Sequence, residues 1–220
     1  MNSIYEIILL LTLLKSIVLV RKFSLSSQNY LFVYLLVTFL VEVFSWIILL
    51  IDKDSKFSFQ YIVYCIFCIL FFWFYYSRQF HKNLKKKVNL LSIILLVYVL
   101  VFPNFMGENL DSRLVIALPI FYILYTMLWF YQKIAFPSKD KITDDPNFWI
   151  STALLLWSCF FIFRVIPRYF FDTTDKGFLI LLRELVYIIN SIMYLLFFKG
   201  LMKYETIAKN LNKWASSHKK

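Results

Sequence analysis

The sequence predicts an all-α integral membrane protein: a bundle of seven transmembrane helices, with the N-terminus outside and the C-terminus in the cytoplasm. Three observations carry that expectation. The composition is 61% hydrophobic and 21% aromatic, with only 17% charged residues. A soluble domain of this length does not hide so much apolar surface. The apolar residues fall into seven runs, most of them near the ~20 residues that cross a hydrocarbon core. The basic residues fall between alternate pairs of runs. Three Gly and five Pro in 220 residues also exclude a β-barrel, whose short strands need many turns.

The runs extend over Ile4–Val20, Tyr30–Ile51, Phe57–Ser77, Val88–Phe102, Leu114–Tyr131, Phe148–Ile166 and Phe178–Phe198. The first opens the chain without a basic n-region or a small-residue cleavage site, so it reads as a span and not as a signal peptide. The second contains "YLLVTFLVEVFSWIILLI" (Tyr34–Ile51), apolar from end to end except for Glu42 and a few small polar residues. The third contains "CIFC", whose Cys65 and Cys68 share a helix face as small hydrophobes; the redox use of a C-x-x-C pair is the other reading. The fourth run is the shortest, and Pro103 ends or kinks it. Before the sixth, "DDPN" has the form of a helix start, with Asp144 or Asp145 capping and Pro146 in the first turn. After the seventh, residues 201–220 form a basic amphipathic tail, distinct from a transmembrane domain of residues 1–200. Leu201, Tyr204, Ala208, Leu211 and Ala215 share one face of it, with Trp214 at the edge. That tail either lies in the membrane interface, docks on a partner, or is a stop-transfer charge cluster with a frayed end. Runs one to three and five to seven, joined by the fourth, also make a 3+1+3 layout.

Orientation follows from the loops. Arg21, Lys22, Arg78, Lys82, Lys85, Lys86, Lys87, Lys133, Lys139, Lys141 and the lysines from Lys199 to Lys220 lie on one side. Lys53, Lys56, Arg113, Arg168 and Lys176 lie on the other. The roughly threefold bias makes the first side cytoplasmic and places the chain in the cell inner membrane as a multi-pass protein. The net charge of +11 is thus a matter of topology and anionic lipid, not of nucleic acid.

Polar residues within the runs are the candidate site. Thr38, Glu42 and Ser45 follow i, i+4, i+7 along one stripe of a helix. A charge at the centre of a bilayer costs at least ~2.5 kcal/mol, so this stripe should face the bundle interior. Arg164, Arg183, Glu184 and Glu6 are expected in the same half of the bilayer, and Arg164 or Arg183 is the expected partner of Glu42. Arg183, Tyr187, Asn190 and Tyr194 make a second stripe on the last span. Lys15 lies deeper, with a stem long enough to snorkel to the cytoplasmic face. Two readings stay open: a ligand pocket open to the outside, or buried ion pairs that fix helix packing. The many Tyr and Trp serve as interface belts and core, or line a cage around a ligand.

Three families of seven-span proteins are excluded by their motifs. A retinal protein needs a lysine midway along the last span, where this chain has only Lys199 at the end. Pro-Gln pairs are absent, so it is not of the PQ-loop type. Neither His81 nor His218 lies in a span, which excludes the zinc site of a ceramidase-type hydrolase. "FLVEVFSWIILL", "DDPNFWISTALLLW" and "LVYIINSIMYLLFF" resemble segments of small seven-span membrane proteins from Bacteroidota. That resemblance implies association with two-component kinases. The expected function is sensory or signalling, with a small ligand received from outside and a cytoplasmic partner met by the basic face. The alternatives are a small-solute transporter or channel subunit and an accessory subunit of a membrane complex. No nucleophile–base arrangement or metal spacing is present, so neither an enzyme nor a cofactor is expected.

Overall fold

The computed structural model describes residues 2–23, 26–51, 58–101, 112–137, 140–170 and 176–217. Seven helices follow one another: α1 (Asn2–Lys22), α2 (Ser26–Ile51), α3 (Ser58–Ser77), α4 (Lys82–Val101), α5 (Ser112–Ala135), α6 (Pro146–Phe170) and α7 (Lys176–Ser217). A short 3-10 turn at Ile142–Asp144 precedes α6. Pro103, which the sequence assigns to the end of the fourth run, lies outside the described residues.

The start of α6 shows the expected cap. Asp145 Oδ1 accepts from the Asn147 backbone N–H at 2.9 Å, and Pro146 takes the first helical position, where no N–H is missed. Asp144 is engaged elsewhere, 2.6 Å from Lys203 Nζ. Pro119 lies inside α5 without ending it. The largest departure from expectation is α7. It does not stop at the end of the apolar run but continues as one helix for 42 residues. The reason is that the first turns of the extension are packed: Leu201, Tyr204 and Ala208 are buried against the bundle. Farther on, Leu211 is 54% exposed.

Contacts between successive helices run in opposite directions. Tyr5 meets Glu42, Thr38 meets Tyr64, Trp73 meets Asn89, and Trp157 meets Asn190. By contrast α1 and α7 run parallel, joined at Tyr5–Tyr187, Thr12–Tyr194 and Lys15–Glu205. The neighbours close a ring in the order α1, α2, α3, α5, α6, α7, with α4 outside it against α3 and α5. The fourth helix thus lies outside the ring formed by the other six.

Five helices, α2, α3, α5, α6 and α7, are long and apolar enough to cross a membrane. The expectation was seven. α1 carries Glu6, Lys15, Arg21 and Lys22, and α4 begins with Lys82, Lys85, Lys86 and Lys87, which leaves it an apolar length of about 20 Å at 1.5 Å per residue. Both helices nonetheless turn apolar stripes away from the protein. On α1 these are Ile4, Ile7, Leu11, Leu14 and Val18; on α4 they are Leu90, Ile93, Ile94, Val97 and Val101.

The interior is aromatic. Tyr34, Phe72, Tyr76, Phe121, Tyr122, Tyr125, Trp129 and Phe197 are all buried, with ring pairs such as Phe121–Tyr125 at 4.2 Å and Tyr34–Phe72 at 4.9 Å. Ser92 and Tyr125 share a short hydrogen bond between α4 and α5. In lipid, helices gain little from excluding water, so such packing and interhelical hydrogen bonds hold the ring together.

Candidate functional site

Glu42 projects from α2 into the interior, and its hydrogen bond comes from an unexpected donor. Tyr5 of α1 donates its hydroxyl to Glu42 Oε2 at 3.2 Å, while the Tyr5 ring stacks on Tyr187 of α7 at 5.7 Å. An arginine had been expected there. Arg183 instead faces Glu184 at 4.0 Å, with side chains 54% and 36% exposed, and neither residue lines the cavity described below. Arg164 is an electrostatic neighbour of Tyr61, as is Glu42. A tyrosine replaces arginine here because α1 and α7 run parallel and side by side, which brings Tyr5 and Tyr187 level with Glu42.

A cavity of about 180 Å³ lies inside the ring, lined from α2, α3, α5, α6 and α7. Glu42, Tyr61, Tyr64, Tyr122, Trp157, Asn190 and Tyr194 supply its polar and aromatic wall; Val115, Leu118 and Met193 supply apolar wall. Asn190 is oriented by Trp157, whose Nε1 donates to Asn190 Oδ1 at 2.8 Å. Trp157 is itself held by stacking on Phe161 at 4.5 Å. Tyr61, at the rim, is 45% exposed. On the other side of Glu42, between α1 and α2, a second cavity of about 250 Å³ is lined by Glu6, Leu9, Phe39, Val43 and Trp46 as well.

At the bottom of the first cavity the hydroxyls gather. The Thr38 and Tyr64 hydroxyls are 2.9 Å apart, Thr38 also donates to the Tyr34 backbone carbonyl at 2.8 Å, and Tyr34 and Tyr122 line the cavity beside them. Cys68 is buried, and Cys65 lines the cavity; both thiols are free. Beneath the cluster Leu35, Ile69, Phe72, Leu154 and Phe197 form a layer with essentially no exposed surface. Phe72 touches Tyr34 and Tyr122 above and Tyr75 and Tyr76 below.

Below that layer, at the lysine-rich end, lies a second polar cluster that was not anticipated. Asn147 Oδ1 accepts from Tyr75 Oη at 2.5 Å, from Gln79 Nε2 at 3.1 Å and from Tyr204 Oη at 3.2 Å. It thereby ties α3, α6 and the α7 extension together. Gln132 staples the α3–α4 turn, donating to the Gln79 carbonyl and accepting from the His81 N–H, each at 2.9 Å. Lys15 reaches Glu205 at 2.5 Å, and Lys209 meets the same carboxylate at 2.8 Å. Lys203 hydrogen-bonds Asp144 and holds its carboxyl below the usual aspartate range.

The predicted residues thus divide into groups. Glu42, Asn190 and Tyr194 line one cavity. Thr38 belongs to the hydroxyl cluster at its floor, and Tyr187 reaches the site through Tyr5. Ser45 accepts from Gln60 Nε2 at 2.8 Å and links α2 to α3. Glu6 shares the second cavity with Glu42. Tyr5, Tyr61, Tyr64, Tyr122 and Trp157 were missed, because each looks like ordinary belt or core until its neighbours are known.

Fold and site together define a helical multi-pass membrane protein with a polar and aromatic cavity within its ring. Comparison of the chain with family models, with curated proteins and with solved structures gives no match.

Proposed function

We propose that this protein is a membrane receptor that binds a small ligand in the Glu42 cavity and passes the result to a cytoplasmic partner at its lysine-rich end. The observation that carries the reading is the aromatic layer around Phe72 and Phe197, which separates the cavity from the lower polar cluster. A transporter needs a path between the two ends; a receptor needs a closed floor and a mechanical link. That link is present as α7. It carries Asn190 and Tyr194 in the cavity wall and, on the same continuous helix, Tyr204 and Glu205 in the lower cluster. A ligand that favours one packing of α7 over another shifts the extension with it.

All seven helices cross the inner membrane in this proposal. The outward apolar stripes of α1 and α4 support it, since a helix facing water would turn its polar side out. The lysine-rich end is cytoplasmic by the charge bias, so the cavity lies toward the outside. The partner at the cytoplasmic face is a signalling protein of the kind the resemblance implies.

Two measurements test this reading. In a cysteine-free background, a cysteine at Phe178 should react with an impermeant maleimide in intact cells, and one at Lys86 should not. The reverse pattern would invert the receptor. Glu42→Gln, made in the cavity, should change hydrogen-exchange protection of residues 201–213 in the purified protein. Identical protection in the variant would sever the cavity from the extension and remove the receptor reading.

A further inference from the structure

The cavity has a chemical bias that narrows the ligand. Among the described residues its lining includes one carboxylate, Glu42, and no Lys, Arg or His. The rings of Tyr61, Tyr64, Tyr122, Tyr194 and Trp157 line the same cavity. Aromatic faces are the negative part of a ring's charge distribution and attract cations, most strongly where water is excluded. An anion would meet the opposite field. Arg164 acts on Tyr61 at the rim and is not among the lining residues.

Size and wall chemistry select among cations. At about 30 Å³ per molecule of liquid water, the space of about 180 Å³ equals about six waters, room for a compact ligand. A metal ion needs several oxygen ligands, and no group of three or more His, Cys, Asp or Glu suited to a metal occurs among the described residues. A primary ammonium brings three N–H donors that each want an acceptor. A methylated ammonium brings none: it spreads its charge over methyl groups, which suit π-rich walls and the apolar side chains of Val115, Leu118 and Met193.

We propose that the Glu42 cavity binds a small quaternary or tertiary methylammonium ion, with Glu42 as its counter-charge and the surrounding tyrosines and Trp157 as its cage. The assignment of ligand class rests on the receptor reading of the cavity. The test separates the two. Calorimetric titration of the purified full chain compares choline with the neutral alcohol in which carbon replaces its nitrogen. The two have nearly the same shape and differ in charge. Choline should bind at least tenfold more tightly, and Glu42→Gln should abolish that preference. Should Glu42→Gln fail to fold, Tyr61→Leu at the exposed rim serves in its place and should weaken choline more than the alcohol. Equal or tighter binding of the alcohol by the unmodified protein would overturn the methylammonium assignment and leave a ligand cavity in place. Binding of neither compound would overturn both. Retention of the full preference in Glu42→Gln and in Tyr61→Leu would place the cation elsewhere and overturn the site.

Discussion

The contact between Tyr5 and Glu42 can be weighed by a double-mutant cycle. Tyr5→Phe removes one hydroxyl and leaves the ring stacked on Tyr187, where the interplanar angle is 11°. Glu42→Gln keeps the shape and removes the charge. The hydrogen bond is 3.2 Å long, beyond the usual ~2.5–3.0 Å of an O–H···O bond. Hydrogen bonds to charged groups contribute about 1.5–3 kcal/mol in soluble proteins, whereas interhelical bonds within bilayers average ~0.6 and reach ~1.7 kcal/mol. A long bond to a carboxylate between two helices should therefore show a coupling of about 1 kcal/mol, roughly a fivefold change in the unfolding equilibrium. The assay is reversible unfolding of the four proteins in mixed micelles. A parallel cycle between Glu42→Gln and Arg183→Gln should be additive within about 0.5 kcal/mol, as for groups without a shared partner, because Arg183 faces Glu184. A null result for Tyr5 combined with a coupling above about 1 kcal/mol for Arg183 would refute the reasoning and restore the arginine as the partner of the buried carboxylate.

Asn147→Leu strands three donors, on α3, the turn after it and α7, each stranded group costing about 1–3 kcal/mol; since Tyr75 and Tyr204 can turn to each other at 3.2 Å, a loss of about 2 kcal/mol is expected in the same unfolding assay. Stability equal to that of the unmodified protein would remove Asn147 as the tie between α3, α6 and α7. A Cβ at Gly200 would lie 3.2 Å from the Pro146 carbonyl oxygen and 3.4 Å from Ile150, so Gly200→Leu should overpack the α6–α7 crossing by about 1–3 kcal/mol. Gly200→Ala should be nearly neutral, because the helix-propensity gain of about 1 kcal/mol opposes the tight contact. The Asp144–Lys203 link has a predictable pH dependence. Its carboxyl is held below the unfolded value of about 3.9, so its stabilisation is complete above that pH and is lost as pH falls through the lower, folded value. The protection factors of residues 201–213, taken relative to the intrinsic exchange rate at each pH, should thus fall on acidification in the unmodified protein, while Asp144→Asn should already be less protected at neutral pH; equal protection at neutral pH would show that the link does not hold the extension.

What the sequence determined by itself is local or additive. Run lengths located all seven helices, because apolar length is a property of a contiguous segment. Asp145 and Pro146 marked the start of α6, because a cap involves residues two or three apart. The Thr38–Glu42–Ser45 stripe identified an inward face, because exposing a carboxylate to hydrocarbon is costly whatever the neighbours are. Tertiary structure decided who those neighbours are. Glu42 has Tyr5 as its donor because α1 packs parallel to α7 and beside α2, a relation between segments far apart in the chain. A tyrosine in a span has no periodic mark that separates belt, core and cavity wall, so Tyr61, Tyr64 and Tyr122 became a site only when α3 and α5 set them around one space. The length of α7 was hidden for a related reason. The turns that follow its apolar run are polar in sequence, and they join the fold because Asn147, Asp144 and Lys15 reach Tyr204, Lys203 and Glu205 from three other places in the chain.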